Sequence, residues 1–203
     1  MNRSLKRKRS QSAPDLDKQA ERAEQRNSEY GSLVQNMAQN DKELARKSGK
    51  KLKLALSGQS EIGKFVNPIN IEDLVAIMFK QTSLLGTEEY NGELHQYSIS
   101  ILANCCYTVG STGFILKKNI HFLDQAVRII ESTTATVELK TSIIRLLGNL
   151  SSDMELAHWI CSKTILFDGI ALILENPDLR IVRQCLRLFT NLGEKRFTRY
   201  KEV

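Results

Sequence analysis

An asparagine set in a leucine-rich helical stretch recurs at Asn104, Asn149 and Asn191, 45 and then 42 residues apart. The stretches read Ile101-Leu102-Ala103-Asn104-Cys105, Leu146-Leu147-Gly148-Asn149-Leu150 and Leu188-Phe189-Thr190-Asn191-Leu192, so a polar amide stands where a core helix would take a small apolar residue. Self-similarity at a period of roughly 40 to 47 residues marks stacked helical units, because a single unit cannot bury its apolar face alone. The spacing predicts an all-α solenoid, a scaffold that binds other chains rather than one that catalyses.

A chain of 203 residues has room for one ordinary domain, or for a smaller one with a tail. Charge selects the tail: residues 1–69 carry 15 Lys and Arg against 8 Asp and Glu, whereas residues 70–203 carry 14 against 15. A near-neutral repeat region argues against a broad nucleic-acid face, since phosphate neutralisation needs clustered cations. Up to Lys64 the only aromatic is Tyr30, too little apolar surface to offset backbone ordering. Residues 1–68 are therefore expected to be a flexible basic arm, with short helices over 16–26 and roughly 32–56 forming on contact with the first repeat. Cys105, Cys106, Cys161 and Cys185 lie in apolar helical stretches with no C-x-x-C pair, which suits buried, reduced thiols. No stretch approaches the ~20 apolar residues that span a bilayer and no secretory signal is read, so the expected location is nucleus and cytoplasm, with no membrane partner.

The ordered region is expected over residues 69–194. Asn70 is placed as the cap of a helix through Leu74-Val75-Ala76-Ile77-Met78-Phe79, and a helix from Glu93 to Tyr107 carries Asn104, together a partial repeat over 69–108. A full repeat over 112–152 has helices near Phe114 to Lys118, Phe122 to Ile130 and Thr136 to Leu150. A second, over 154–193, has Met154 to Ser162, Ile165 to Leu174, and a long helix that starts at Asn176-Pro177-Asp178 with proline first and stops at Gly193. Residues 195–203 are left as a basic tail.

The order short, medium, long, with the long helix ending in a Leu-x-Asn-Leu-like segment, resembles the armadillo repeat family over about Asn70 to Glu194. The resemblance implies a short right-handed armadillo-type α-solenoid. It also implies that Asn104, Asn149 and Asn191 line a concave groove and hydrogen-bond the backbone of an extended peptide. A carboxamide supplies both donor and acceptor, so it can hold a peptide unit of any sequence. One turn back stand Ser100, Arg145 and Arg187, placed to read partner side chains. Importin-alpha-like members carry tryptophans there, whereas Trp159 lies on a different helix. Two arginines beside two asparagines suit an acidic or phosphorylated extended segment. The competing reading is structural: a helical asparagine can equally hydrogen-bond the neighbouring repeat.

In the arm, Lys6-Arg7-Lys8-Arg9 has the form of a nuclear import signal, implying an import receptor as partner. Arg9-Ser10-Gln11-Ser12-Ala13-Pro14 matches the pattern by which 14-3-3 proteins recognise phosphoserine, which makes Ser12, with Ser10 beside it, the expected phosphorylation site. A further basic cluster comprises Arg46, Lys47, Lys50, Lys51 and Lys53.

No catalytic set is visible: His95, His121 and His158 fall in separate units without a G-x-S-x-G or a phosphate-cradling loop. His158 and Cys161 are two ligands at most, so neither a metal nor a cofactor is expected. The reading is a non-enzymatic protein-binding adaptor holding an extended acidic segment. The alternative is a nucleic-acid- or chromatin-associated subunit whose basic arm touches phosphate weakly while the repeats hold a protein. The apolar edge of the last repeat is expected to be open, which allows a homodimer, and the chain fits a shorter form of a longer repeat protein.

Overall fold

The computed structural model describes residues 28–199, with side chains through Glu194. Eleven helices and no strand are found among the described residues: α1 (Glu29–Met37), α2 (Lys42–Ala55), α3 (Gln59–Phe65), α4 (Pro68–Ser83), α5 (Gly92–Thr108), α6 (Ser111–Lys117), α7 (Phe122–Glu131), α8 (Val137–Leu150), α9 (Met154–Cys161), α10 (Ile165–Ile173) and α11 (Leu179–Arg199).

Most helix starts are written locally, as polar side chains that take up the orphan amides of a first turn. The Asp41 carboxylate accepts from the Glu43 and Leu44 amides, Asn91 from Leu94, Thr136 from Leu139, and Asp153 from Glu155 and Leu156. Two expected starts are corrected. Asn67, not Asn70, caps α4, with Pro68 in the first turn, and the Asn70 amide group is buried and donates to the Phe65 carbonyl at 2.8 Å. In α11 the Asp178 carboxylate accepts from the Arg180 amide at 2.9 Å, so Pro177 precedes the helix instead of opening it. The expected stop at Gly193 is also corrected: the helix runs on to Arg199, and only Gly86 has a positive φ among the described residues.

The long helices α2, α5, α8 and α11 lie in one row, each packed on the next. Paired atoms between neighbours run in the same sense along both chains. Asn91 Nδ2 donates to the Lys42 carbonyl and Arg46 pairs with Glu93; Arg145 reaches the Ser100 carbonyl and Asn149 the Ala103 carbonyl; Arg180 pairs with Glu138 and Asn191 reaches the Gly148 carbonyl. Sequence separations of 47–49, 45–46 and 42–43 follow across the row, so the four helices are parallel and in register. Shorter helices fill the other layer, α3–α4, α6–α7 and α9–α10, giving three units in the order short, longer, long, preceded by the pair α1–α2.

This arrangement corrects the expected boundary at residue 68. Residues 29–65 form three helices whose Leu33, Val34, Met37, Leu52, Leu56 and Phe65 belong to the same buried core as Leu74, Ile99, Ile144 and Leu188. The repeat expected as partial over 69–108 gains its first helix from α3. The α2–α5 contact is close because its face is small: Ala45, Ser48 and Gly49 are buried there, and a Cβ on Gly49 would lie 2.9 Å from Tyr97 Cδ2. Residues 1–27 and 200–203, including the expected helix over 16–26, lie outside the described residues.

Candidate functional site

The three asparagines do not share one environment. The Asn149 side chain is nearly buried, donates from Nδ2 to the Ala103 carbonyl at 2.7 Å, and accepts at Oδ1 from Arg187 at 3.0 Å. Asn191 donates to the Gly148 carbonyl at 2.8 Å and to Ser151 Oγ at 3.2 Å. Each amide thus reaches the carbonyl just before the preceding asparagine. The Gly148 carbonyl lies in the last turn of α8, where helical partners run out, and it accepts from both Ser151 Oγ and Asn191 Nδ2, each at 2.8 Å. Asn149 thus spends one of its two amide hydrogens and one oxygen lone pair within the row, which ties it to the neighbouring helices and competes with the role expected of it as a peptide-holding amide. At Asn191 the amide hydrogens are spent. The Asn104 side chain, half-buried on α5, makes no hydrogen bond with the described residues; α2 ends at Ala55, with Leu56 just past its end near the corresponding place.

The side chains one turn back come together around this ladder. Arg145 is half-buried, with one guanidinium nitrogen 3.4 Å from the Ser100 carbonyl, while Arg187 is exposed and holds Asn149. Burial and then the neighbouring Arg187 cation pull Arg145 below the ordinary arginine range. No carboxylate pairs with Arg145 or Arg187 among the described residues. Two cations thus stand near one another on the row, Arg145 stripped of part of its water and neither paired with a carboxylate among the described residues. Ser100 is corrected: its side chain is buried, and its backbone carbonyl does the work.

The face extends beyond the residues expected. Arg180 and Arg183 lie on α11 at seven- and four-residue steps from Arg187, exposed, with Arg180 already paired to Asp178 and Glu138. At the other end of the row, Arg46 pairs with Glu93, and Lys53 Nζ stands 5.6 Å from the Tyr97 ring centre. The helix periodicity of α11 could have revealed Arg183, once Asp178 was taken as its cap.

Other candidate chemistry dissolves into packing. His95 is fully buried, within hydrogen-bond distance of Thr82 Oγ1 at 3.2 Å and Tyr90 Oη at 3.3 Å, and burial lowers its pKa to about 4. Burial pushes the Cys105 thiol up to about 12 and Cys185 to about 11, and Cys106 well above its ordinary value. Trp159 on α9 packs on Phe122, ring centres 5.8 Å apart. No group of three or more His, Cys, Asp or Glu side chains able to hold a metal occurs among the described residues. No single helix there is long and apolar enough to cross a membrane, although α9 and α10 together pass that test as a pair bent by 90°. Lys6, Arg7, Lys8, Arg9, Ser10 and Ser12 lie outside the described residues.

No family model matches the chain, and no curated protein does. Solved structures do. Two engineered proteins from the Northeast Structural Genomics Consortium superpose with TM-scores of 0.62 and 0.63 at 18% and 16% identity, over 81% of this chain and 62% and 63% of theirs. A third, at 20% identity and TM-score 0.63, is matched over 79% of this chain and 36% of its own. The chain therefore spans between about a third and just under two thirds of the proteins it resembles. Likeness at this identity speaks for the fold alone. The chain is all-α, with a helical-repeat-like fold.

Proposed function

We propose that the chain is a non-enzymatic adaptor of armadillo type, whose row of long helices holds an extended acidic or phosphorylated segment of a partner across Arg145 and Arg187. The observation that carries this reading is the pair of neighbouring guanidinium groups with no carboxylate partner among the described residues. Like charges kept close, one of them partly desolvated, cost energy that an incoming anion repays. Guanidinium groups also match carboxylate and phosphate in planar, two-point fashion. With the Asn149 and Asn191 amides partly engaged in the row, recognition rests on charge, and Asn104 is the asparagine whose side chain is freest to meet a peptide backbone. In this reading residues 1–27 carry the controls: Lys6-Arg7-Lys8-Arg9 for an import receptor, and phosphorylated Ser12 for 14-3-3 proteins, giving a chain that moves between nucleus and cytoplasm.

One observation favours a second reading. Arg46, Lys47, Lys50, Lys51 and Lys53 all stand on α2, so basic residues occur at both ends of the row. That could serve nucleic acid. A fluorescent, unstructured peptide rich in aspartate and glutamate, a serine-phosphorylated version, and a single-stranded oligonucleotide separate the two by anisotropy. The first reading expects the peptides to bind at physiological salt and to weaken about tenfold or more in Arg145→Gln/Arg187→Gln, each charge-assisted contact contributing about 1.5–3 kcal/mol. Unaltered peptide affinity in that variant, or an oligonucleotide that outcompetes both peptides at physiological salt, would overturn it.

A further inference from the structure

The row is finished at one end and unfinished at the other. At its start, the outward side of α2 carries Glu43, Lys47, Lys50 and Lys51, all exposed, and the exposed apolar Leu54, a largely polar outer face of the kind that closes a stack of repeats. At its end, α11 presents Leu179, Val182, Leu186, Phe189 and Gly193, residues at three- and four-residue steps and so on one helix face. This is the face by which each earlier long helix receives the next. At the 42-residue offset, Leu179, Leu186 and Phe189 match Val137, Ile144 and Leu147 of α8; a further 45 residues back, Ile99 and Leu102 of α5 match the last two. Ile99, Leu102, Ile144 and Leu147 are 0% exposed, whereas Leu179 and Leu186 are 75% and 56% exposed. The layer of shorter helices tells the same story: Ile165 and Leu172 of α10 stand where α7 has buried Phe122 and Ile129, and Leu172 is 73% exposed.

A recess opens on this face. Cys161, Phe167, Phe189, Leu192 and Gly193 bound a cavity of about 280 Å³, its wall made by the Phe167 and Phe189 rings, stacked with centres 6.1 Å apart. One unit earlier, Leu150 holds the place of Leu192, and there Leu156 from the following unit's first helix meets it over Gly113. The recess is thus a socket whose counterpart within the row is filled by a leucine from the next helical layer.

We propose that the α10–α11 end docks an amphipathic helix of a partner chain, apolar on one face and acidic on its flanks, with a bulky apolar side chain entering the Phe167–Phe189 recess. Charge decides the flanks. The apolar stripe is bordered by exposed Arg183, with Arg187 and Arg180 beyond it, and Glu194 is the only acidic residue among the described side chains of α11. Charge also argues against a second copy of this chain. A second α11 would bring its own Arg180, Arg183 and Arg187 to the same face, adding cations where the flanks call for anions.

The test uses the full chain with two synthetic peptides, each carrying leucines at three- and four-residue steps, one flanked by glutamates and its twin by lysines. Binding of the glutamate peptide is expected, with the lysine peptide weaker by about tenfold or more and Leu186→Asp reducing glutamate-peptide binding by a similar factor. An unstructured aspartate- and glutamate-rich peptide without leucines should not displace the glutamate-flanked helix, which separates this binding from the extended-segment site. Thermal unfolding of Leu186→Asp should match that of the wild type, because Leu186 touches solvent. Equal binding of the two peptides, binding that survives Leu186→Asp, or a wild-type dimer in sedimentation that Leu186→Asp converts to monomer would overturn the proposal.

Discussion

Removing the Asn149 side chain tests whether the long helices are tied as described. In Asn149→Ala the row loses one hydrogen bond to the Ala103 carbonyl and one from Arg187. The first is a buried neutral bond between helices, of about 1 kcal/mol net. The second involves a charged donor on an exposed residue, so solvent screening reduces it to about 0.5–1 kcal/mol. The Ala103 carbonyl sits within α5 and keeps its helical bond, so no orphaned acceptor adds to the loss. The sum, about 2 kcal/mol, is measured as a shift in urea midpoint at constant slope, and as a fall of about 4–8 °C in melting temperature for a region of this size. A double-mutant cycle with Arg187→Ala should give a coupling of about 0.5–1 kcal/mol. A variant within about 0.5 kcal/mol of wild type, with coupling below about 0.3 kcal/mol, would mean that the amide is not engaged between helices and the register is wrong.

His95 should make stability depend on pH. Its folded pKa is about 4, below the ordinary 6.5, so the unfolded chain takes up the proton first and stability falls as pH drops from about 6.5 towards 4. Linkage sets the loss between pH 7.5 and 5 at about 2 kcal/mol, and His95→Gln should flatten that part of the urea-derived profile; an unchanged slope would count against a buried neutral ring. Two helical glycines should respond with opposite signs. A Cβ on Gly113 would run into Leu156 and lie 2.9 Å from Leu150 Cδ2, so Gly113→Ala should cost about 1–2 kcal/mol net, whereas a Cβ on Gly148 meets nothing within 4 Å and Gly148→Ala should gain up to about 1 kcal/mol. Equal shifts in the two melting curves would contradict the packing between the second and third units.

Much of the fold could be read in the chain because α5, α8 and α11 carry Ile and Leu at helical spacing on their inner sides, with cap residues at most of their starts. Short helices were expected over roughly 32–56, but that α1 to α3 belong to the packed core was hidden for a physical reason. Their contact face uses Ala45, Ser48 and Gly49 beside Leu52, small residues that allow close approach but carry little hydropathy signal, and the surrounding lysines read as a solvated arm. The choice of Asn67 over Asn70 as a cap was legible in the Asn67-Pro68 pair, since proline favours the first helical position, and the Asn67 side chain accepts from the Asn70 amide at 2.9 Å. Of the candidate site, Arg145 and Arg187 were legible as an adjacent pair. The fate of the asparagines was not: an amide on the exposed edge of a helix faces a ligand or the neighbouring helix according to the lateral stagger of the row. Here that stagger puts Asn149 opposite Ala103 and Asn191 opposite Gly148.

The proposed role is tested most directly by finding where an acidic segment lies. An extended aspartate- and glutamate-rich peptide carrying a central photoreactive benzophenone, cross-linked to the full chain and mapped by mass spectrometry, should mark α8 around Thr141 to Arg145 and α11 around Arg183 to Thr190, and should lose those adducts in Arg145→Gln/Arg187→Gln. Adducts confined to α2, or to the short helices on the opposite side of the row, would contradict the account.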